Sequence, residues 1–192
     1  MDTESWWDSF YGQHGDVREW YSEEENVKKL AVARLPPDAP LLHIGCGTSV
    51  LGEALRRGGF PYVLNLDFSA VGVHALVGGA PGAEASVMDA LRLPLRDACV
   101  GAVVDKGTLD ALCVGGASKA ANAKQLLEEL HRVTTDGAPV LLFSIIEPED
   151  RLPLLQQDAA WSVDVTEILA TPLEMPSQRM FWLYTLTRKY AL

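Results

Sequence analysis

The sequence predicts a doubly wound α/β fold: a mostly parallel sheet of seven strands, helices on both faces and an antiparallel final strand. Three observations carry that prediction. Short apolar runs alternate with helical patterns along most of the chain. A glycine turn, Gly45-Cys46-Gly47, joins the first such run directly to a helix. Towards the C-terminus, two alternating apolar/polar runs succeed each other with no helix-length segment between them.

Taken in order, Leu41–Ile44 is the first strand, entered from the Pro-rich turn 36–40. Residues 49–57 form a helix with Val50, Leu51, Ala54 and Leu55 on one side, stopped by Gly58-Gly59. Residues 62–67 are the second strand and 70–77 the helix after it; 83–88 make a weaker third strand. Residues 100–105 are a fourth, and its β-branched run suits a buried central position. Residues 119–134 give the clearest helix, with Ala123, Leu126, Leu127, Leu130 and Val133 in one stripe. Gly137-Ala138-Pro139 turns the chain into a fifth strand, 140–144. Trp161, Val163 and Val165 then alternate with Ser162, Asp164 and Thr166, and residues 181–187 alternate again. Such a pair reads as antiparallel, at the sheet edge.

Length and composition bound the rest. A chain of 192 residues suits one domain, 1–192, divided into an N-terminal helical and aromatic segment, 1–35, and a core, 36–192. No apolar stretch approaches membrane-spanning length. The start, MDTESWWDSF, has neither the charge pattern nor the apolar run of a secretory or mitochondrial leader, so a cytoplasmic location is expected unless a leader has been removed. The net charge of −10 argues against nucleic acid, since phosphate binding needs a surplus of Lys and Arg on one face. It is compatible with a cationic substrate or a basic protein partner, and equally with acidic charge that only keeps the protein dispersed. Cys46, Cys99 and Cys113 show no metal-ligand spacing, which predicts reduced thiols and no structural metal.

The strongest local signal is LLHIGCGTSVLGEAL. Glycine is needed where the backbone turns sharply and a ligand approaches it closely. Asp67 lies twenty residues beyond Gly47, at the end of the second strand, where a carboxylate accepts hydrogen bonds from ribose hydroxyls. Strand, glycine turn, helix and a following acid are shared by NAD and S-adenosylmethionine sites. Val50 discriminates: a pyrophosphate-binding motif places glycine there for close helix–strand packing, and S-adenosylmethionine has no pyrophosphate. Met88-Asp89 falls where a contact to the adenine amine is due, and Phe68 is placed to stack on the ring.

Four stretches, WWDSFY with EWY after it, IGCGTS, GGFPYVLNLDFSAV and DKGTLDA, carry a resemblance. The chain resembles the Rossmann-like, class I protein-lysine methyltransferases that include those acting on translation elongation factor 1A and on citrate synthase. EPEDRLP, followed by Trp161-Ser162-Val163, is similar to the citrate synthase enzyme in particular. The resemblance implies an S-adenosylmethionine-dependent enzyme that methylates a lysine of a protein substrate, with no nucleic-acid or membrane partner. It also implies roles for particular residues. Trp7, Tyr11 and Tyr21 become N-terminal cofactor contacts, Gly45 and Gly47 line the cofactor, Asp67 and Phe68 take the ribose and adenine edge, Asp89 and Ala90 the adenine, and Lys106 the far wall. Read without the family, Trp6, Trp7, Phe10 and Tyr11 also suit a hydrophobic staple pinning the N-terminus to the core. His43 departs from the family, which commonly has an acid two positions before the first motif glycine.

For chemistry, Asp105 is the candidate catalytic residue, ending the fourth strand where it would stabilise a cationic acceptor beside the sulfonium. Glu147, Glu149 and Asp150 are candidates to guide such an acceptor, and residues 170–179 to form one rim of its entrance. A small-molecule methyltransferase on the same fold and a non-catalytic S-adenosylmethionine-binding module are the competing readings.

Overall fold

The computed structural model describes residues 3–14, 19–21, 24–113, 119–157, 160–169 and 180–189. One seven-stranded sheet runs through them in the order β3-β2-β1-β4-β5-β7-β6. The strands are β1 (Leu41–Ile44), β2 (Val63–Asp67), β3 (Ala85–Val87), β4 (Ala102–Lys106), β5 (Pro139–Ser144), β6 (Trp161–Leu169) and β7 (Met180–Arg188). β1 to β5 pair in parallel, and β7 inserts antiparallel between β5 and β6. The expected doubly wound, seven-stranded sheet with its antiparallel final strand is therefore present.

Seven helices are described among these residues: α1 (Thr3–Gln13), α2 (Glu24–Val32), α3 (Leu51–Arg57), α4 (Ala70–Gly79), α5 (Thr108–Leu112), α6 (Lys119–Val133) and α7 (Pro148–Leu155). The sequence reading placed α3, α4 and α6 and expected helix within 1–35, where α1 and α2 lie; it missed α5 and α7. α5 is too short to show a period, and α7 carries Pro148 and Pro153 in eight residues. Proline at the first helical position is harmless because its missing N–H would have had no partner there. α4 starts cleanly because Ser69 caps it, its Oγ accepting from Gly72 N at 3.0 Å.

Alternation along the central strands divides the core between the two faces. Leu42, Ile44, Val103, Val140 and Leu142 pack with Leu126 and Leu130 of α6 on one side. Leu41, Ala102, Val104, Leu141 and Phe143 pack with Leu51, Leu55, Val27 and Ala31 on the other. Both sets are almost fully buried, at about 1.5–3 kcal/mol for each large side chain. The consequence for function is geometric. β1 and β4 are neighbours whose following helices lie on opposite faces, so a crevice opens beyond their C-terminal ends, where open α/β sheets bind ligands.

Among the described residues, no helix is long and apolar enough to cross a membrane, and no His, Cys, Asp and Glu group could hold a metal ion.

Candidate active site

The turn after β1 has the geometry its glycines suggest. Gly45 and Gly47 take φ of +56° and +50°, the left-handed region that other residues enter at a cost. Both are also crowded. A Cβ on Gly45 would run into the Thr108 hydroxyl, and one on Gly47 into the Tyr11 hydroxyl. The third close approach comes at Gly52, where a Cβ would strike the Asn65 side chain. α3 thus packs tightly on β2 through Gly52, and Val50 stands outside that contact, at the cap of α3.

Asp67 ends β2 and is 4 % exposed. Its Oδ2 accepts from Gly47 N and its Oδ1 from Ser69 N, each at 2.8 Å. Burial pushes its carboxyl above the usual range, and these backbone donors pull it back. The Gly47, Ser69 and Phe68 backbone donors do not fill all of the roughly four acceptor sites of the carboxylate. Phe68 is half-buried beside it. On the adjacent strand end Met88 N–H donates to Asp67 O at 2.9 Å, which brings Asp89 and Ala90 alongside. Asp89 is exposed, with Oδ1 accepting from Leu91 N, and Ala90 is 9 % exposed.

α1 lies over this turn. Tyr11 is buried between Gly47 and Gly72, and burial together with the Asp67 charge pushes its hydroxyl far above the ordinary tyrosine range. Trp7 stacks on Tyr11 with ring centres 5.5 Å apart and meets Trp20 edge-on at 6.3 Å. Asp8 accepts from Ser69 Oγ at 2.5 Å, tying the helix to the cap of α4. The staple reading and the site reading therefore describe the same contacts: the aromatic helix is pinned to the core at the glycine turn.

Beyond β4 the DKGTLDA segment folds into a tight turn. Asp105 is fully buried, and its two oxygens accept from Thr108 N at 2.8 Å and Leu109 N at 3.0 Å. Burial raises its pKa to about 6. Its side chain is engaged at the start of α5. Lys106 is also buried; its Nζ donates to Glu19 Oε2 at 2.6 Å and to Trp20 O at 3.1 Å. Tyr21, at φ +67°, lies against Gly107 and donates its hydroxyl to Asp110 Oδ2 at 3.0 Å. Tyr11 thus reaches the glycine turn with Trp7 stacked on it, and Tyr21 reaches the β4 turn instead.

Three residues at the strand ends escaped the sequence reading. Glu19 accepts from Ser49 Oγ at 2.8 Å and Val50 N at 2.9 Å besides Lys106. Asp110 accepts from Tyr21, from Ser144 Oγ at 2.6 Å, from Ile145 N at 2.9 Å and from Arg151 at 2.6 Å. Arg151 also donates to Cys113 Sγ at 3.2 Å. Each sits inside a segment that stood out by resemblance (EWY, DKGTLDA, EPEDRLP), and none shows its partner by spacing.

His43 is fully enclosed. Its Nδ1–H donates to Asn65 Oδ1 at 2.8 Å, and burial pushes its pKa down to about 4, so the ring is neutral and structural. Glu147, Glu149 and Asp150 are exposed after β5. The expected rim 170–179 lies outside the described residues.

The methyltransferase domain family matches residues 42–142, a span that holds the glycine turn, Asp67, Asp89 and the β4 turn. The chain belongs to the class I methyltransferases that use S-adenosylmethionine. It is 33 % identical to the mitochondrial citrate synthase-lysine N-methyltransferase of Pongo abelii, over 84 % of this chain and 78 % of that protein. It is 28 % identical to the eEF1A lysine and N-terminal methyltransferase of Xenopus laevis, over 85 % of this chain. The mouse EEF1A lysine methyltransferase 4 is also 28 % identical, over 77 % of this chain. The chain spans 25 % and 62 % of the lengths of these last two relatives. Solved structures share the fold. A SAM-dependent methyltransferase of Methanosarcina mazei superposes with a TM-score of 0.70 at 17 % identity, covering 84 % of this chain and 98 % of that one. The N-methyltransferase NodS of Bradyrhizobium japonicum, bound to S-adenosyl-L-homocysteine, gives 0.65 at 11 %, covering 88 % and 89 %.

The residues fit the cofactor of this methyltransferase family. Asp67 keeps acceptor capacity for a ribose hydroxyl, the left-handed turn from Gly45 to Gly47 lies next to it, and a second acid with apolar neighbours follows on the adjacent strand.

Proposed function

We propose that this chain transfers a methyl group from S-adenosylmethionine to the ε-amine of a lysine in a protein substrate. The observation that carries the reading is the contrast between the two sides of the crevice. The side of the glycine turn and Asp67 is roofed by α1. The β5 side ends in exposed Ile145 and the exposed acids Glu147, Glu149 and Asp150. An acidic, open rim suits a cationic side chain presented by a macromolecule, and the curated relatives named above are themselves methyltransferases of lysine in proteins.

In this reading Asp67 holds the ribose, Phe68, Asp89 and Ala90 the adenine, and the turn from Gly45 to Gly47 lines the cofactor. The N-terminal part, 1–35, comprises a lid, in which α1 carries Trp7 and Tyr11 over the donor, and a helix, α2, whose Val27 and Ala31 pack into the core, 36–192. S-adenosylmethionine supplies a methyl group already activated on a sulfonium, so the protein's share is alignment and exclusion of water. The acceptor ε-ammonium loses a proton to water on entering an apolar channel, and the neutral nitrogen then attacks in line. Asp105 serves this by shaping the turn that carries Lys106 and Gly107, since it is fully buried and each of its oxygens accepts an α5 amide. The net charge of −10 favours a basic protein partner over nucleic acid or an anionic membrane surface, and the reading places the protein in the cytoplasm.

Incubation with labelled donor and a whole-cell extract, followed by mass spectrometry of the labelled protein, tests the assignment. Label on lysine of a discrete protein is expected. Label on small molecules alone would replace lysine with a metabolite acceptor, and tight NAD binding without S-adenosylhomocysteine binding would remove the donor.

A further inference from the structure

Lys106 is the C-terminal residue of β4, and its strand pairs with β1 so that Ile44 lies opposite Asp105. Its ammonium therefore stands beside the Gly45–Gly47 turn, on the other wall of the crevice between β1 and β4. A buried cation there has a physical consequence. The donor carries a positive sulfonium and the acceptor arrives as an ammonium, so an unpaired lysine would repel both. The Lys106 and Glu19 side chains are only 2 % and 15 % exposed, and their ion pair spans 2.6 Å. Glu19 reaches the opposite wall as well, accepting from Ser49 Oγ and Val50 N at the end of the glycine turn. Lys106 in turn donates to the Trp20 carbonyl. One carboxylate thus ties the segment before α2 to both walls of the crevice and cancels the one buried ammonium found there among the described residues.

We infer that Glu19 is a positioning residue with two effects: it latches the aromatic N-terminal segment over the donor site, and it neutralises Lys106 so that the crevice accepts a cationic donor. The inference rests on S-adenosylmethionine as the ligand and not on lysine as the acceptor. The two effects separate experimentally. S-adenosylmethionine carries the sulfonium charge, whereas S-adenosylhomocysteine has a neutral thioether and otherwise the same groups. A buried unit charge on the order of 10 Å away, at an effective dielectric near 20, changes affinity by roughly tenfold.

The test uses full-length wild type, Glu19→Gln and the double variant Glu19→Gln/Lys106→Met, with thermal unfolding to show that each is folded. Hydrogen exchange of the ligand-free proteins reads the latch, and calorimetry with the two ligands at neutral pH reads the charge. Glu19→Gln is expected to speed exchange across residues 3–14 and to weaken S-adenosylmethionine about tenfold more than S-adenosylhomocysteine. The double variant keeps the fast exchange and returns the ratio of the two affinities to the wild-type value. Unchanged exchange, or equal weakening of both ligands, overturns the inference. Tighter donor binding in Glu19→Gln also overturns it, because Glu19 would then occupy the donor's place. Wild type that binds neither ligand removes the donor assignment and the charge effect with it, while the exchange measurement still decides the latch.

Discussion

Replacing Asp110 by Ala deletes one carboxylate and leaves four donors without their acceptor. These are the Tyr21 hydroxyl, Ser144 Oγ, Ile145 N–H and the Arg151 guanidinium. The side chains of Asp110 and Arg151 are 6 % and 3 % exposed, so water takes their place only with rearrangement. Breaking a buried ion pair from one side costs about 3–5 kcal/mol, because the remaining charge is stranded. Neutral donors left behind raise the cost by up to about 1–3 kcal/mol each, less where a hydroxyl rotates to another acceptor. About 5 kcal/mol is the expected total, a large part of the roughly 5–15 kcal/mol by which domains are stable. Arg151→Met behaves differently. It fills a similar volume and leaves the carboxylate with three donors, so about 1–3 kcal/mol is expected. For a domain of this size each kcal/mol moves Tm by about 2–4 °C, so at the same slope Asp110→Ala should lose the more, about 10–20 °C against about 2–12 °C for Arg151→Met. Combining the two substitutions removes the stranded guanidinium, so the double variant should be more stable than Asp110→Ala alone. Thermal and urea unfolding followed by circular dichroism ranks the three. Asp110→Ala unfolding at the wild-type temperature, or Arg151→Met proving the more damaging, would refute the argument that the carboxylate organises this cluster.

Asp67→Ala should weaken donor binding about ten- to hundredfold by removing one or two charge-assisted hydrogen bonds, at about 1.5–3 kcal/mol; calorimetry on the folded variant checks this, and unchanged affinity takes Asp67 out of the site. Asp105, with a folded pKa of about 6 against an unfolded value near 3.9, holds a proton in the folded state that the unfolded state has lost between those pH values. Its contribution to stability is full below the unfolded value and disappears as pH rises through about 6, so wild type should lose up to about 3 kcal/mol relative to Asp105→Asn between pH 4 and 7. Denaturant unfolding of both proteins across that range measures the difference, and parallel curves would count against it. Deleting residues 1–21 should abolish methyl transfer and weaken donor binding while the sheet remains folded, because the strands begin at Leu41. A truncated protein that binds donor normally and still methylates would end the lid proposal.

The sheet was legible because its strands announce themselves locally. Val103, Val104, Leu141 and Leu142 are buried runs, and the alternation from Trp161 to Thr166 marks a strand with two unlike faces. The glycine turn was legible for a similar reason: positive φ at Gly45 and Gly47 is a local demand, and Asp67 follows from the length of one strand–helix–strand unit. Val50 was correctly read as breaking the dinucleotide motif, yet the close helix–strand approach survives two residues later at Gly52, which only the packing against Asn65 reveals.

What the tertiary structure alone decided is the partnering of charges. Glu19 and Lys106 are 87 residues apart, and Asp110 and Arg151 are 41 apart. Periodicity and propensity describe neighbours on one helix or strand and carry no information about which acid meets which base across the sheet ends. Asp105 shows the same limit, because a carboxylate after a strand reads alike whether it faces substrate or holds the N–H groups of Thr108 and Leu109. Local sequence determined the scaffold, since backbone geometry and burial act over a few residues. The electrostatics of the crevice came from the fold, since only closure of the sheet brings those side chains within hydrogen-bond reach.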